Sequence, residues 1–402
     1  DWVRLRAPNE QEQKKEDDWI SLMEAYEPMD LPVVKEFFPF GVYDAPPHNS
    51  SKHPMSARMA LRMLSSHHLN YVQASAHTFV SAAEEMGMYL GVRMRGASTY
   101  FKRGGTAAVT AWAGPIIDRI KDSPAVICYD MGDENKVYKL WGDVGGIGVL
   151  HQLDPTRPSV SCFYDWVPQR RYDPYVPLTL SDIYPLSGGK ERTASYLYDW
   201  CRQIASKTDN KRHWMILQAF GTAPWRPMDD TFVPTVEQLR LQIWSALAGG
   251  ARGIIMYSTS YDRFRMMADQ WGNPNELMKE AARLGEILIP LGRRLLDCEV
   301  DFDTKIACDN EKILVGVVHS LQRDTRYVIV ANKDEKDPQG GKLTGLEGGL
   351  FDLEAIEEAA DGLVEPLRPG GGRIYMMGPA GRFKGEAKII RRNRVEEARR
   401  AA

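Results

Sequence analysis

The strongest constraint on the fold is a repeated alternation of segment type. From residue 36 to 290, short apolar runs of strand character alternate with segments of helical period. The runs fall at 37–43, 69–75, 88–94, 126–132, 159–164, 178–182, 213–220 and 251–257, and the helical segments at 57–66, 78–85, 107–121, 137–150, 193–205 and 235–248. Strands separated by helices cannot pair as hairpins, so they pair in parallel. Eight such steps in about 250 residues match a (β/α)8 TIM barrel. An open doubly wound sheet is the alternative. A chain of 402 residues that is 43% hydrophobic can fill such a core with residues to spare.

Punctuation supports these bounds. Thr235 is placed to cap the helix that follows Pro234, and Gly249-Gly250 to end it in the left-handed conformation. Leu239, Ile243, Trp244 and Leu247 recur at helical spacing, so Trp244 is expected in the core and not as a sugar platform. Beyond Arg294 the pattern changes: 312–319 and 326–331 are strand-like and separated by turns without helices. The expected organisation is an N-terminal extension at 1–35, a barrel at 36–292, a small antiparallel β-sandwich at 293–380 and a charged tail at 381–402. The tail is expected as a solvated helix or a disordered segment, with Glu386, Glu396 and Glu397 interrupting its basic residues.

The fourth apolar run stops in Gly132-Asp133-Glu134-Asn135. In a parallel barrel the carboxyl ends of the strands carry the chemistry, so Asp133 and Glu134 are delivered to a candidate active site. There Glu134 is expected to be a general acid, its proton retained through burial and a neighbouring acid. The competing reading is an acidic pair that compensates the dipole of the next helix. Asp182 ends the sixth run ahead of Tyr184-Pro185 and is the candidate second carboxylate, or else a turn-capping Asp. Gln218 ends the seventh run, where an amide can bind a hydroxyl but cannot act as nucleophile or base.

Tyr43, Arg93, Tyr164, Tyr184, Trp225 and Tyr257 lie at or beyond strand ends on the same rim. Aromatic faces with convergent donors suit a neutral polyhydroxylated ligand, so a carbohydrate substrate is expected. Arg93 and Arg95 could instead pair with Asp130 or Asp133. No metal or cofactor is expected: His48, His53 and His77 match no ligand spacing, and the five cysteines read as single free thiols, Cys128 and Cys162 being inside apolar runs.

A net charge of −3 gives no footprint for nucleic acid, and without a run of 18 apolar residues no membrane span is expected. The sequence fixes neither oligomeric state nor compartment. A leader removed before Asp1 would fit a secreted or periplasmic protein.

Together these residues resemble the (β/α)8 glycoside hydrolases of the retaining superfamily that includes β-galactosidase and cellulase-type families. The most specific segment is Ala246-Leu247-Ala248-Gly249-Gly250-Ala251-Arg252-Gly253 running into Ile254-Ile255-Met256-Tyr257-Ser258, similar to the approach to that superfamily's eighth strand. Residues 363–378, with Leu367 and Pro369-Gly370, are similar to the β-sandwich domains that follow such barrels. The resemblance implies hydrolysis of a poly- or oligosaccharide with Glu134 as proton donor, but a nucleophilic Glu would be expected where Gln218 stands. Asp182 would then be nucleophile or base. A substrate-assisted route through a 2-acetamido group, with Asp133 and Glu134 as the orienting and acid pair, and a barrel that only binds carbohydrate are the alternatives.

Overall fold

The computed structural model describes residues 10, 14, 17, 21, 37–44, 56–136, 139–176, 178–186, 193–208, 212–220, 233–258, 267–268 and 272–401. Eight parallel strands close into one barrel, each hydrogen-bonded to the next and the last to the first. They are β1 (Phe40–Tyr43), β2 (Tyr71–Ser75), β3 (Tyr89–Arg93), β4 (Val126–Gly132), β5 (Ser159–Phe163), β6 (Leu178–Asp182), β7 (His213–Gln218) and β8 (Ile254–Tyr257). All eight coincide with the apolar runs, because in a barrel ringed by helices both faces of a strand are buried.

The helices of this region are α1 (Ala57–Ser66), α2 (Val80–Glu85), α3 (Gly96–Ile120), α4 (Leu140–Leu153), α5 (Trp166–Tyr172), α6 (Tyr196–Lys207), α7 (Val236–Gly249) and α8 (Glu276–Gly292). In α7 the Thr235 Oγ1 accepts from Gln238 N and the Gln238 side chain accepts from Thr235 N, which closes the helix start reciprocally. Gly250 ends it at φ +115°, where a side chain would be strained. Trp244 is 2% exposed, a core residue. Helix α3 starts eleven residues before its expected position, since Gly104 and Gly105 interrupt its dihedrals and hide the period of its first half.

The amino-terminal end of the barrel is closed by aromatic rings, Phe37 against Tyr89 at 4.5 Å, against Tyr71 at 5.6 Å and against Trp214 at 6.4 Å between centroids. The opposite end stays open and polar. After α8 come β9 (Cys298–Val300), β10 (Ala307–Cys308), β11 (Ile313–Ser320), β12 (Thr325–Asn332), β13 (Gln339–Thr344), β14 (Gly349–Asp352), β15 (Glu357–Ala359), β16 (Leu363–Leu367) and β17 (Gly372–Gly378). They form a six-stranded antiparallel sheet, β15-β14-β17-β12-β11-β9, and a three-stranded one, β10-β13-β16.

Strand β12 explains why this region reads as apolar runs without clean alternation. Its Val328 and Val330 join Leu343, Val364 and Leu367 in a cluster between the two sheets, while Tyr327, Ile329 and Ala331 join the core shared with the barrel helices. This central strand is therefore buried on both faces. Docking is close: Tyr198 Oη donates to Val315 O at 2.9 Å, and a Cβ on Gly316 would lie 1.9 Å from Ala248 O.

The tail corrects one expectation. It forms α9 (Ala380–Ala401), neither disordered nor solvated all round. Ala387 and Ile390 are buried, Asn393 donates to Pro290 O at 3.2 Å, and Arg294 clamps Glu386 with two bonds of 2.5 and 2.6 Å. The three acids of α9 pair with Arg293 and Arg294, while Lys384, Lys388 and Arg391 stay exposed on the other side. Among the described residues no helix is long and apolar enough to cross a membrane.

Candidate active site

The turn after β4 is shaped by its smallest residue. Pairing of β4 with β5 shifts register between Asp130 and Gly132, a bulge that re-aims the strand end. Asn135 then folds back: its N–H donates to Cys162 O at 3.2 Å and its side chain to Ser161 Oγ at 3.3 Å. A Cβ at position 132 would lie 2.0 Å from Asn135 Oδ1, so only glycine admits this packing. Glu134 takes a left-handed backbone, φ +48°. Both Asp133 and Glu134 are exposed toward the barrel mouth. The next regular helix, α4, begins at Leu140, too far along for the pair to act as its first-turn acids.

A cavity of about 350 Å³ opens at this mouth, lined by Tyr43, Asp44, Arg93, Arg95, Asp133, Glu134, Asp182, Tyr184, Ile216 and Tyr257. Below it runs a buried polar chain. Tyr71 Oη donates to Gln73, the Gln73 amide donates to Asp130 Oδ1 at 3.0 Å, and Arg95 Nε donates to Asp130 Oδ2 at 2.6 Å. Arg95 also donates to Tyr43 Oη and reaches Asp133 Oδ2 at 3.4 Å. Burial favours neutral Asp130 and raises its pKa, opposed by the adjacent guanidinium. Desolvation pulls Arg95 down, but Asp130, Tyr43 and Asp133 outweigh it and hold the guanidinium charged. Thus Arg95 pairs with both acids considered from sequence, whereas Arg93 pairs with Asp44 at 3.2 Å.

Asp182 is the unusual group. It is 7% exposed, and its Oδ1 is buried without a hydrogen-bond partner. Burial raises its pKa well above the ordinary carboxylate value, and Asp133 and Glu134 raise it further; the Cys162 thiol and the backbone act the other way without reversing the shift. The Cys162 thiol is itself pushed up, by burial first and then by Asp182 and Asp133.

Asp133, Cys162 and Asp182 bring one donor atom each within 4.8 Å of the others. Tetrahedral zinc with bonds of about 2.0–2.3 Å would draw its donors to roughly 3.3–3.8 Å and needs an ionised thiol. The three donors are near enough to share an ion, but a metal would need the Cys162 thiol ionised, and burial raises the pKa of that thiol.

The cavity brings together Tyr43, Arg93, Asp133, Glu134, Asp182, Tyr184 and Tyr257 from the sequence-derived set. Gln218 is fully buried beneath them, its Oε1 accepting from Leu186 N at 3.2 Å and its Nε2 donating to Phe220 O at 3.3 Å. It ties backbone segments together and is not among the lining residues. Tyr164 is 43% exposed on the rim, with Lys136 Nζ 3.6 Å above its ring. Trp225, His48 and His53 lie outside the described residues. Asp44, Cys162 and the Gln73–Asp130 link are among the site features that sequence reading missed. Period-two alternation on β5 and β6 places Cys162 and Asp182 inward, but only closure of the barrel makes them neighbours.

No family model and no curated protein matches the sequence. Solved structures do. The β-galactosidase from Bacillus circulans sp. alkalophilus gives a TM-score of 0.63 at 10% identity, covering 85% of this chain and 99% of that one. A catalytic mutant of a GH42 β-galactosidase from G. stearothermophilus gives 0.62 at 8%, covering 85% and 98%. A glycoside hydrolase family 5 structure from Bacteroides vulgatus gives 0.56 at 12%, covering 81% and 86%. At such identities the likeness concerns the fold. This chain has a (β/α)8 barrel followed by antiparallel sheets, as those glycoside hydrolase structures do, and the resemblance read from the sequence is borne out at the level of the fold.

Proposed function

We propose that the protein is a glycoside hydrolase in which Asp182 donates the proton to the leaving group and Glu134 is the second carboxylate. The observation that carries this reading is the buried, unpartnered carboxyl oxygen of Asp182 at a cavity that Glu134 also lines. A general acid must hold its proton at working pH, and a carboxyl kept from water beside two other acids does so. Glu134, exposed at the same mouth, suits the complementary task of attacking carbon as a nucleophile or activating water as a base. These roles are the reverse of those the sequence resemblance implies. Gln218, committed to backbone, is consistent with a carboxylate pair drawn from β4 and β6 instead of β4 and β7.

Tyr43, Tyr184 and Tyr257 supply an aromatic wall, with Tyr43 and Tyr184 respectively 5.8 and 6.3 Å from Tyr257 between ring centroids. A sugar ring offers such a wall its C–H face while its hydroxyls reach the acids and Arg93. The cavity is at the small end of ligand pockets, which span about 300–1,000 Å³.

The test is a panel of aryl glycosides, 2-acetamido sugars included, assayed from pH 4 to 9 with the product anomer followed by NMR. Turnover of several glycosides with a bell-shaped profile supports the reading. Binding without turnover across the panel would favour a carbohydrate-binding barrel. Turnover confined to 2-acetamido sugars, with Asp133→Asn the damaging change, would replace it by substrate assistance.

A further inference from the structure

Asp44 lies one residue beyond β1 with a left-handed backbone, φ +62°. Few residues with a side chain sit there, although Asp and Asn tolerate it best. Two bonds from separate strands hold it in place: its N–H donates to Gln73 O at 2.9 Å, and Ser258 Oγ donates to its carbonyl at 3.2 Å. The carboxylate so fixed meets the Arg93 guanidinium at 3.2 Å. Both side chains line the cavity beside Glu134 and Asp182, and both stay within reach of solvent, Asp44 at 23% and Arg93 at 27% exposure. Among the described lining residues the other cation is Arg95, which is held by Asp130 and Asp133. Arg93 is therefore the cation an anionic ligand would use, and Asp44 already occupies it.

We propose that Asp44 is the specificity-determining residue of the cavity: by occupying Arg93 it selects neutral pyranosides and rejects uronic acids. A ring hydroxyl can donate to the Asp44 carboxylate or accept from Arg93, so the pair is complementary to a neutral sugar as it stands. The extra carboxylate of a uronic acid brings no donor for Asp44. It would have to compete with Asp44 for Arg93, and Asp133 and Glu134 line the same mouth with like charge. The inference rests on the reading of the cavity as a sugar site, not on hydrolysis.

The experiment measures binding to the full chain by calorimetry for methyl glucoside, galactoside and mannoside, each beside the uronide of the same configuration. Turnover of the matching aryl glycosides is recorded alongside. Wild type should favour the neutral member of a pair. Asp44→Asn keeps the shape and suits the left-handed backbone but removes the charge. It should raise the uronide-to-neutral affinity ratio about tenfold or more, the worth of one hydrogen bond to a charged group. Arg93→Gln added to Asp44→Asn should cancel that gain, and alone should move the ratio the other way. Urea unfolding checks each variant, and Arg93→Gln alone carries the test should Asp44→Asn not fold. Wild type favouring the uronide, a ratio unmoved by these variants, a gain that survives loss of Arg93, or no binding of any of these sugars by wild type would overturn the proposal. Hydrolysis with an unmoved ratio leaves the hydrolase reading standing without it. A switched ratio in a protein without turnover upholds the selectivity and removes the hydrolase reading.

Discussion

Replacing Asp182 by Asn should destroy activity on substrates with poor leaving groups while improving stability relative to wild type as pH rises. The wild-type carboxyl is 7% exposed and held protonated by burial, Asp133 and Glu134. In the unfolded chain an aspartate ionises near pH 3.9. Between that pH and the raised folded value the folded protein binds the extra proton, so wild-type stability falls with increasing pH. The slope is about 1.4 kcal/mol per pH unit. Asparagine does not titrate, and the difference between variant and wild type should grow in the variant's favour along that slope. The new amide N–H group adds an offset of about 1–3 kcal/mol against the variant if it is left unpaired, but this does not change with pH. The slope, not the absolute difference, is therefore diagnostic. Urea unfolding at half-unit steps from pH 4 to 8 measures it, and a parallel assay on an alkyl glycoside should show a loss of about 10²–10⁴-fold. A difference flat in pH, or one that turns against the variant as pH rises, would refute the burial argument.

Other consequences follow from named contacts. Gly132→Ala should reduce turnover at least about tenfold and cost about 1–3 kcal/mol in unfolding, because the added Cβ meets Asn135 at 2.0 Å and the turn carrying Glu134 must move. Arg95→Met should cost about 3–5 kcal/mol by stranding the fully buried Asp130, and adding Asp130→Asn should restore most of it in the same denaturation assay. His213 is buried near Arg252 and its pKa is lowered to about 3, first by desolvation. An unfolded histidine takes up a proton near pH 6.5, so stability is lost as pH falls from there toward 3, and His213→Gln should flatten that part of the wild-type curve.

The barrel was legible because each strand is a short apolar run with turn residues or helical periods on either side. Thr235 and Gly250 disclosed the ends of α7 through cap chemistry that operates within a few residues. Where local signals cancel, legibility ends. Gly104 and Gly105 concealed the first half of α3, and α8 is absent from the sequence reading although Leu277, Ala281, Leu284 and Leu288 carry its buried stripe. The tail looked solvated because the partners of its acids, Arg293 and Arg294, lie about a hundred residues earlier in the chain.

The site divides in the same way. Asp133, Glu134 and Asp182 could be placed on the rim from strand ends alone. Which of them keeps a proton could not, since this depends on the burial of Asp182 in the closed barrel and on Asp133 and Glu134 arriving beside it from the β4 turn. Gln218 shows the converse: a polar residue at a strand end suggested ligand binding, but its amide is used to join Leu186 to Phe220 beneath the cavity.

The central claim is that Asp182 gives the proton and Glu134 does not. It is tested most directly by comparing Asp182→Asn and Glu134→Gln on two substrates of one sugar, a dinitrophenyl glycoside whose leaving group needs no protonation and a methyl glycoside whose leaving group does. The account predicts that Asp182→Asn retains most of its rate on the dinitrophenyl substrate while losing about 10²-fold or more on the methyl one, and that Glu134→Gln loses both. The opposite pattern, with Glu134→Gln sparing the activated substrate and Asp182→Asn losing both, would contradict it and return the acid to the β4 turn.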